Sequence, residues 1–423
     1  MKIAIVGTGI SGMVAAHLLH RDHDVTVFEE AHYVGGHSNT VDVTVDGQTY
    51  AIDTGFIVFN DWTYPNFMAL LNRLGVESQP SDMSFSVKCE RTGLEYNGTT
   101  LNALVAQRRN LFRPSFHRMV LDILRFNREA LELLDREEDG LTLGSYLSAN
   151  GYSDAFVQYY VLPMGAAIWS AGAESMRSFP ARFFVRFFHR HGMLSVNRRP
   201  TWRVIRGGSR EYVKALIRPF RERIRLNCPV RTVERRSGSV EVVSEERRSD
   251  ESARRRTEQF DQVVFAVHSD QALAMLKRPS PRERDILGAI GYQENEAVLH
   301  TDASLLPNRK SVWASWNYHI LSGGKDRVAV TYHMNTLQGL RAPREFCVTL
   351  NRSEDIDPAA IIRRITYHHP HFTTASVAAQ RRHHEIDGVD RISYCGAYWG
   401  YGFHEDGVVS ALAVCRRFGK ELS

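Results

Sequence analysis

Apolar and polar positions alternate with two different rhythms along this chain. Lys2 to Val6 and Val25 to Phe28 are short, continuous apolar runs of the length of buried strands. Between them Ile10, Met13, Val14, Ala16 and Leu18 recur at helical spacing, and Arg21-Asp22-His23 makes a polar turn. Strand, helix and strand in so short a span predict a βαβ unit with parallel strands. Thr40–Val45 and Gln48–Ile52 alternate around Asp46-Gly47, the pattern of a hairpin. Pro65 to Leu74 reads as an amphipathic helix closed by Gly75, and Glu77 to Asn97 as short strands. The rhythm then changes. Leu104 to Arg136, Leu141–Asn150 and Ser153–Val161 carry apolar residues at helical spacing, so a helical block interrupts the first unit.

Phe179 to Trp202 is the most unusual stretch, pairs of aromatics alternating with cations. On a helix Phe183, Phe184, Phe187 and Phe188 form one stripe, which fits a core-facing helix, a tunnel wall or an interfacial helix with basic flanks. Pro200 to Ser209 returns to a strand and glycine turn, with a helix at Arg210–Arg218. Val230 to Val243 alternates as strands, and Ser244 to Glu258 is a mixed charge run expected as a solvated hairpin tip. Phe260 to Val267 is a buried-type strand, and Ala297–His300, Ser311–His319 and Arg327–His333 make a second strand-rich excursion. Trp313, Trp316, Asn317 and Tyr318 are candidates to face a cavity or to pack on a sheet. A last strand, Arg391 to Tyr398, leads through a glycine-rich turn into a helix predicted at Val408–Lys420.

The chemistry begins in the first turn, Gly7-Thr8-Gly9-Ile10-Ser11-Gly12. Gly7 permits the tight turn, Gly9 lets the backbone approach a pyrophosphate, and Gly12 lets helix pack on sheet. The anion then meets the N–H groups of Ile10 and Ser11 at the helix N-terminus. Glu29 follows the second strand, where a carboxylate accepts from ribose hydroxyls. These features predict dinucleotide binding on a Rossmann-type α/β fold.

A second glycine pair follows in Val34-Gly35-Gly36-His37, and Asp53-Thr54-Gly55-Phe56 comes after the hairpin. These motifs resemble the flavin amine oxidase and phytoene desaturase superfamily. Within it, the VGGH, DTGF, WASWNY and GYGFHEDG stretches are most similar to the predicted NAD/FAD-binding proteins encoded beside cyclopropane-fatty-acid-synthase-like methyltransferases. The resemblance implies FAD, held by Gly35, Gly36 and His37 near the diphosphate, by Gly55 and Phe56 along the flavin, and by Val230 at the adenine. Family members usually carry arginine where His37 stands, and Gly-Asp where Gly396-Ala397 stands. At the C-terminal turn, helix N–H groups aimed at the electron-rich edge of a flavin would come from Gly407 and Val408, beside Gly396.

The resemblance further implies two interleaved domains: FAD-binding residues 1–75, 200–290 and 388–423, and substrate residues 76–199 and 291–387, the latter α+β. The expected activity is FAD-dependent desaturation or isomerisation of a lipid-like fatty acyl substrate by hydride transfer. Tyr398, Trp399, Tyr401, His404 and Glu405 are the nearest groups to the expected flavin face, with His404 or Glu405 as proton acceptor. Amine oxidation is the alternative, with Tyr398 and Tyr401 as an aromatic cage and Lys310 as the one lysine in a suggestive context. A non-catalytic flavin-binding protein is the second alternative.

Composition changes this picture little. The 423 residues are 43% hydrophobic and 24% charged, with a net charge of +5, which is ordinary for a globular protein and gives no argument for nucleic acid. Cys89, Cys228, Cys347, Cys395 and Cys415 are dispersed and without CxxC spacing, as expected of reduced thiols. His368, His369, His371, His383 and His384 lack the acidic or thiol partners of a metal shell, so no metal is expected. With its first strand at Lys2 and no long apolar run, the chain is expected in the cytoplasm, with peripheral membrane contact open.

Overall fold

The computed structural model describes residues 1–98, 101–136, 140–195, 197–247, 253–323 and 328–422. The first apolar runs form the centre of a five-stranded parallel sheet. Its order is Ile224–Arg225, Asp24–Phe28, Lys2–Val6, Gln262–Phe265 and Ile392–Tyr394. Ile3 pairs with Val25 on one side and Gln262 on the other, and Val264 with Ser393. Both faces are covered, which is why these strands read as unbroken apolar runs. On one face Ile3, Ile5, Val25, Val27 and Val264 pack against Met13, Val14, Leu216, Val408 and Ala411, residues of the helices Ile10–Leu19, Arg210–Ile217 and His404–Arg416. On the other, Ala4, Val6, Val263 and Phe265 meet Val233, Val240, Val242 and Leu287. Each fully buried aliphatic side chain contributes about 1.5–3 kcal/mol. The first strand has neighbours on both sides, so a crevice opens at its carboxyl end, where Gly7 begins the turn.

A seven-stranded sheet lies above that crevice, ordered Ile361–His371, Gly291–His300, Cys347–Leu350, Val330–His333, Trp316–Ile320, Phe85–Cys89 and Leu94–Asn97. All neighbours are antiparallel except Trp316–Ile320 with Phe85–Cys89. The helical block packs against it in one core. There the phenylalanine stripe of the Ala181–Arg190 helix is buried, Phe184 at 0%, Phe188 at 1%, Phe187 at 3% and Phe183 at 5% exposure. It faces the interior, so the interfacial reading of that helix fails.

Three local expectations are corrected. The long helix foreseen at Leu104 to Arg136 divides into a 3-10 turn Arg108–Phe112 and helices Pro114–Glu129 and Glu132–Asp135, because Pro114 can only begin a helix. The charged run after Val243 continues as strand through Arg247 and returns at Ala253–Phe260, with ion pairs Arg231–Glu245 and Arg256–Glu246. The tip itself, 248–252, lies outside the described residues. The final helix starts at His404 rather than Val408, since Glu405 and Asp406 form its acidic first turn.

Candidate functional site

One continuous cavity of about 440 Å³ runs from the glycine turn, between the two sheets, to an aromatic chamber. At its nucleotide end Gly7 adopts φ +102°, and a Cβ there would stand 2.6 Å from the Ala266 carbonyl oxygen. A Cβ on Gly12 would come 2.1 Å from the Gly7 carbonyl oxygen, so this glycine serves helix-to-turn contact and does not face the cavity. A Cβ on Gly9 would meet nothing within 4 Å, leaving its backbone open to a ligand. Ile10 and Ser11 line the cavity in the first helical turn, and the Ser11 hydroxyl donates to the Gly407 carbonyl at 2.9 Å. Glu29 also lines it, with a carboxylate that braces the turn by accepting from Thr8 N at 2.9 Å and Ala31 N at 2.8 Å. Val230, with Cys228 and Pro229, closes the same end.

The second glycine pair lies over the first. A Cβ on Gly36 would be 3.4 Å from Gly9 Cα, and Gly35 and Gly36 both take positive φ. His37 follows, stacked on Tyr367 with ring centroids 4.8 Å apart and 5.3 Å from the His369 ring. Its Nε2 is buried with no hydrogen-bond partner. Burial, then the nearby His268 and His368, pulls its pKa down to about 4. His268 is stacked on Tyr292 at 4.2 Å and likewise held at about 4, mainly by burial. The same cause holds His369 at about 3, with Nδ1 3.0 Å from the Asn295 amide nitrogen. Among the described residues no lysine, arginine or aspartate lines the cavity.

In the middle, Phe56 N donates to the His37 carbonyl at 2.7 Å, and a Cβ on Gly55 would stand 2.3 Å from that same oxygen. Asp53 ties this loop to the Arg210–Ile217 helix, accepting from Ser209 N at 2.9 Å and Ser209 Oγ at 2.8 Å. Its burial raises its pKa to about 6. Phe56 stacks on His404 at 3.5 Å, and His404 Nε2 lies 3.0 Å from Ser38 Oγ and 3.1 Å from the Tyr212 hydroxyl. Burial keeps that imidazole neutral, its pKa well below the ordinary value. Gly396 lines the cavity where a Cβ would strike the Tyr398 ring at 2.2 Å.

The far chamber is walled by Ile168, Trp169, Phe187, Trp316, Tyr332 and Phe403. Of the sheet candidates only Trp316 reaches it. Trp313 donates to the Pro307 carbonyl, Asn317 bonds Ser86 and Thr331, and Tyr318 lies in the core. Trp169, Tyr332 and Phe403 escaped the sequence reading, because an aromatic residue carries no mark that separates a chamber wall from a core.

Of the residues expected to hold FAD or act in catalysis, Gly12, Glu405, Gly407 and Val408 stand off the cavity lining. Gly407 N donates to the Phe403 carbonyl within the helix, and Val408 is fully buried against the parallel sheet. The first-turn N–H groups therefore belong to His404, Glu405 and Asp406. Glu405 turns away and accepts from Asn66 N at 3.1 Å, Asn66 Nδ2 at 2.7 Å and Phe67 N at 2.9 Å, capping the Pro65–Leu74 helix. Placed there, it does not reach the cavity as the expected proton acceptor would. Tyr398 and Tyr401 both line the cavity, Tyr398 packing toward Tyr292 and Trp399, Tyr401 against Phe183 and Phe187. Trp399 stacks on His383 and lies off the lining. Lys310 sits over Trp313 at 5.3 Å, likewise away from it.

A glycine-turn parallel sheet joined to a second sheet across one long cavity defines a dinucleotide-binding protein of two-sheet architecture. Residues 10–310 match the flavin containing amine oxidoreductase model, and the chain belongs to that family; it is an FAD-dependent enzyme. Its fold is shared by the CLA-producing fatty acid isomerase from P. acnes, at 16% identity over 98% of each chain with TM-score 0.70. Cyclohexylamine oxidase from Brevibacterium oxydans IH-35A is similar at 13% identity over 99% of each chain, TM-score 0.69. Putrescine oxidase bound to putrescine is similar at 16% identity over 99% of each chain, TM-score 0.67. No curated protein matches in sequence.

Proposed function

We propose that this enzyme desaturates or isomerises an apolar, lipid-like acyl chain through hydride transfer to FAD. The observation that carries the reading is the chamber wall: mostly aromatic and aliphatic side chains, with Ser170 and His191 as polar members and no carboxylate or lysine to meet an ammonium group. Adenosine would rest against Glu29 and Val230. The diphosphate would lie on the Gly9–Ser11 turn beside Gly36 and His37, where the unpartnered His37 Nε2 is ready to bond a phosphate oxygen. The flavin ring would lie between Gly55-Phe56, Gly396 and the first turn at His404. Residues 1–75, 200–290 and 388–423 would then form the cofactor domain, and 76–199 and 291–387 the substrate domain.

When bound, FAD supplies the two-electron acceptor. The chain's own residues hold the substrate in a dry chamber, with Trp169, Tyr332 and Phe403 excluding water. His404 stacks on Phe56 and would hold it in place, its imidazole kept neutral by burial. An apolar substrate would reach this chamber from a lipid phase, which extends the proposal to peripheral membrane contact. Among the described residues no helix is long and apolar enough to cross a membrane.

Anaerobic addition of unsaturated fatty acyl lipids to the FAD-loaded enzyme is expected to bleach the flavin band, or to shift double bonds in the recovered lipid. Bleaching by primary amines or polyamines alone would replace this reading with amine oxidation.

A further inference from the structure

The four most clustered exposed apolar side chains lie at the start of the helical block. Of the ten large hydrophobic residues exposed among the described residues, Leu111, Phe112, Leu121 and Leu124 fall within fourteen positions, at 41%, 86%, 62% and 51% exposure. Leu111 and Phe112 end the Arg108–Phe112 turn, and Leu121 and Leu124 share one face of the Pro114–Glu129 helix. The opposite face, with Phe116, Met119 and Phe126, belongs to the core. His117 and Arg128 continue the outward face on either side of the leucines.

Charge distinguishes what this face would meet. Arg108, Arg109, Arg118 and Arg128 are exposed around it, with Arg113 and Arg125 half-buried. Between 105 and 128 the sequence holds one acid, Asp122, which is buried and accepts from Ser153 N and Arg118. Glu129 follows and is engaged by Arg125 and Arg128. An apolar ridge with an unbalanced cationic rim suits the boundary of an anionic bilayer, where rings and aliphatic chains enter the headgroup layer and arginines meet phosphates. A second copy of the chain would bring the same excess of arginine against itself.

We propose that residues 108–128 form a docking surface for an anionic phospholipid bilayer, with Phe112 as the inserting tip. The inference deepens the lipid-substrate reading by naming where the enzyme meets the lipid phase.

Co-sedimentation of the FAD-loaded full chain with phosphatidylglycerol/phosphatidylcholine vesicles tests it, pure phosphatidylcholine being the control. Binding is expected to favour the anionic vesicles and to weaken with salt. The double variant Phe112→Ser/Leu121→Ser and, separately, Arg108→Glu/Arg113→Glu should each weaken it at least tenfold, with an unchanged flavin spectrum reporting an intact fold. Absence of vesicle binding, or binding that neither variant weakens, overturns the proposal. Self-association that Phe112→Ser abolishes, in protein that ignores vesicles, would assign the face to a second copy instead. Failure here leaves flavin reduction by soluble acyl lipids untouched, and failure of that reduction leaves vesicle binding untouched, so the two readings fall separately.

Discussion

Replacing Glu405 by alanine removes two acceptor oxygens, and with them three hydrogen bonds, from the start of the Pro65–Leu74 helix. That helix has Pro65 in its first turn and Tyr64 as an N-cap that offers no side-chain acceptor, so Glu405 is the cap, supplied from another helix. Loss of a cap costs about 0.5–2 kcal/mol, and the favourable charge at a helix N-terminus adds about 0.3–1 kcal/mol. Phe67, which one of these bonds positions, is fully buried and packs edge-on against Phe56, Phe59 and Tyr212. A total of about 1–3 kcal/mol is therefore expected for Glu405→Ala. For a chain of 423 residues, whose unfolding entropy is about 0.9 kcal/mol/K, that corresponds to a Tm lower by roughly 1–3 °C. Glu405→Gln keeps one acceptor and should lose about half as much. The assay pairs a thermal melt with single-turnover flavin reduction well below the transition. Both variants should melt earlier yet reduce flavin within about twofold of the parent rate. An unchanged Tm with reduction slowed by about a hundredfold or more, the scale of a lost general base, would refute the assignment.

Gly12→Ala should abolish recovery of FAD-loaded protein, because its Cβ would lie 2.1 Å from a backbone oxygen that cannot withdraw; the yield of bound flavin measures it. His37→Arg places a permanent cation beside the proposed diphosphate site and is expected to tighten FAD binding roughly tenfold, read from flavin fluorescence quenching, while lowering the Tm of the FAD-free protein. Stability should fall with acid. His37, His191, His268 and His300 are held near 4 and His369 near 3 by burial, so their contribution is complete above about 6.5 and is lost as pH drops through that window. Asp53 and Asp406, raised by burial to about 6 and about 7, act with the opposite sign, their contribution being lost as pH rises, but they are fewer. A Tm that is flat or rising between pH 7 and pH 4.5 would contradict this balance.

The nucleotide half of the site could be read from the sequence because its physics is local. Gly7, Gly9 and Gly12 act within a few residues of one another, and the continuous apolar runs of Lys2–Val6 and Asp24–Phe28 announce strands buried on both faces. The C-terminal half misled because Gly407 looked like a turn glycine. The turn instead uses Gly402, at φ +93°, so the free helix end falls four residues earlier than foreseen. Glu405 could not be read at all, its partners being Asn66 and Phe67 on a helix far away in the chain. The chamber shows the same limit. Phe187 belongs to the buried stripe and to the chamber wall together, a double role that periodicity cannot divide.

The order of the parallel sheet bears on how such a chain comes off the ribosome. The strand at Lys2–Val6 and its neighbour at Asp24–Phe28 emerge long before the flank formed by Ile392–Tyr394 and the His404–Arg416 helix. At about 5–20 residues per second, the interval is roughly 20–70 s. Throughout it the glycine turn is made but its roof is missing, and the apolar face that Val408 and Ala411 will cover stays open. FAD therefore meets its complete binding site only after the His404–Arg416 helix has been made.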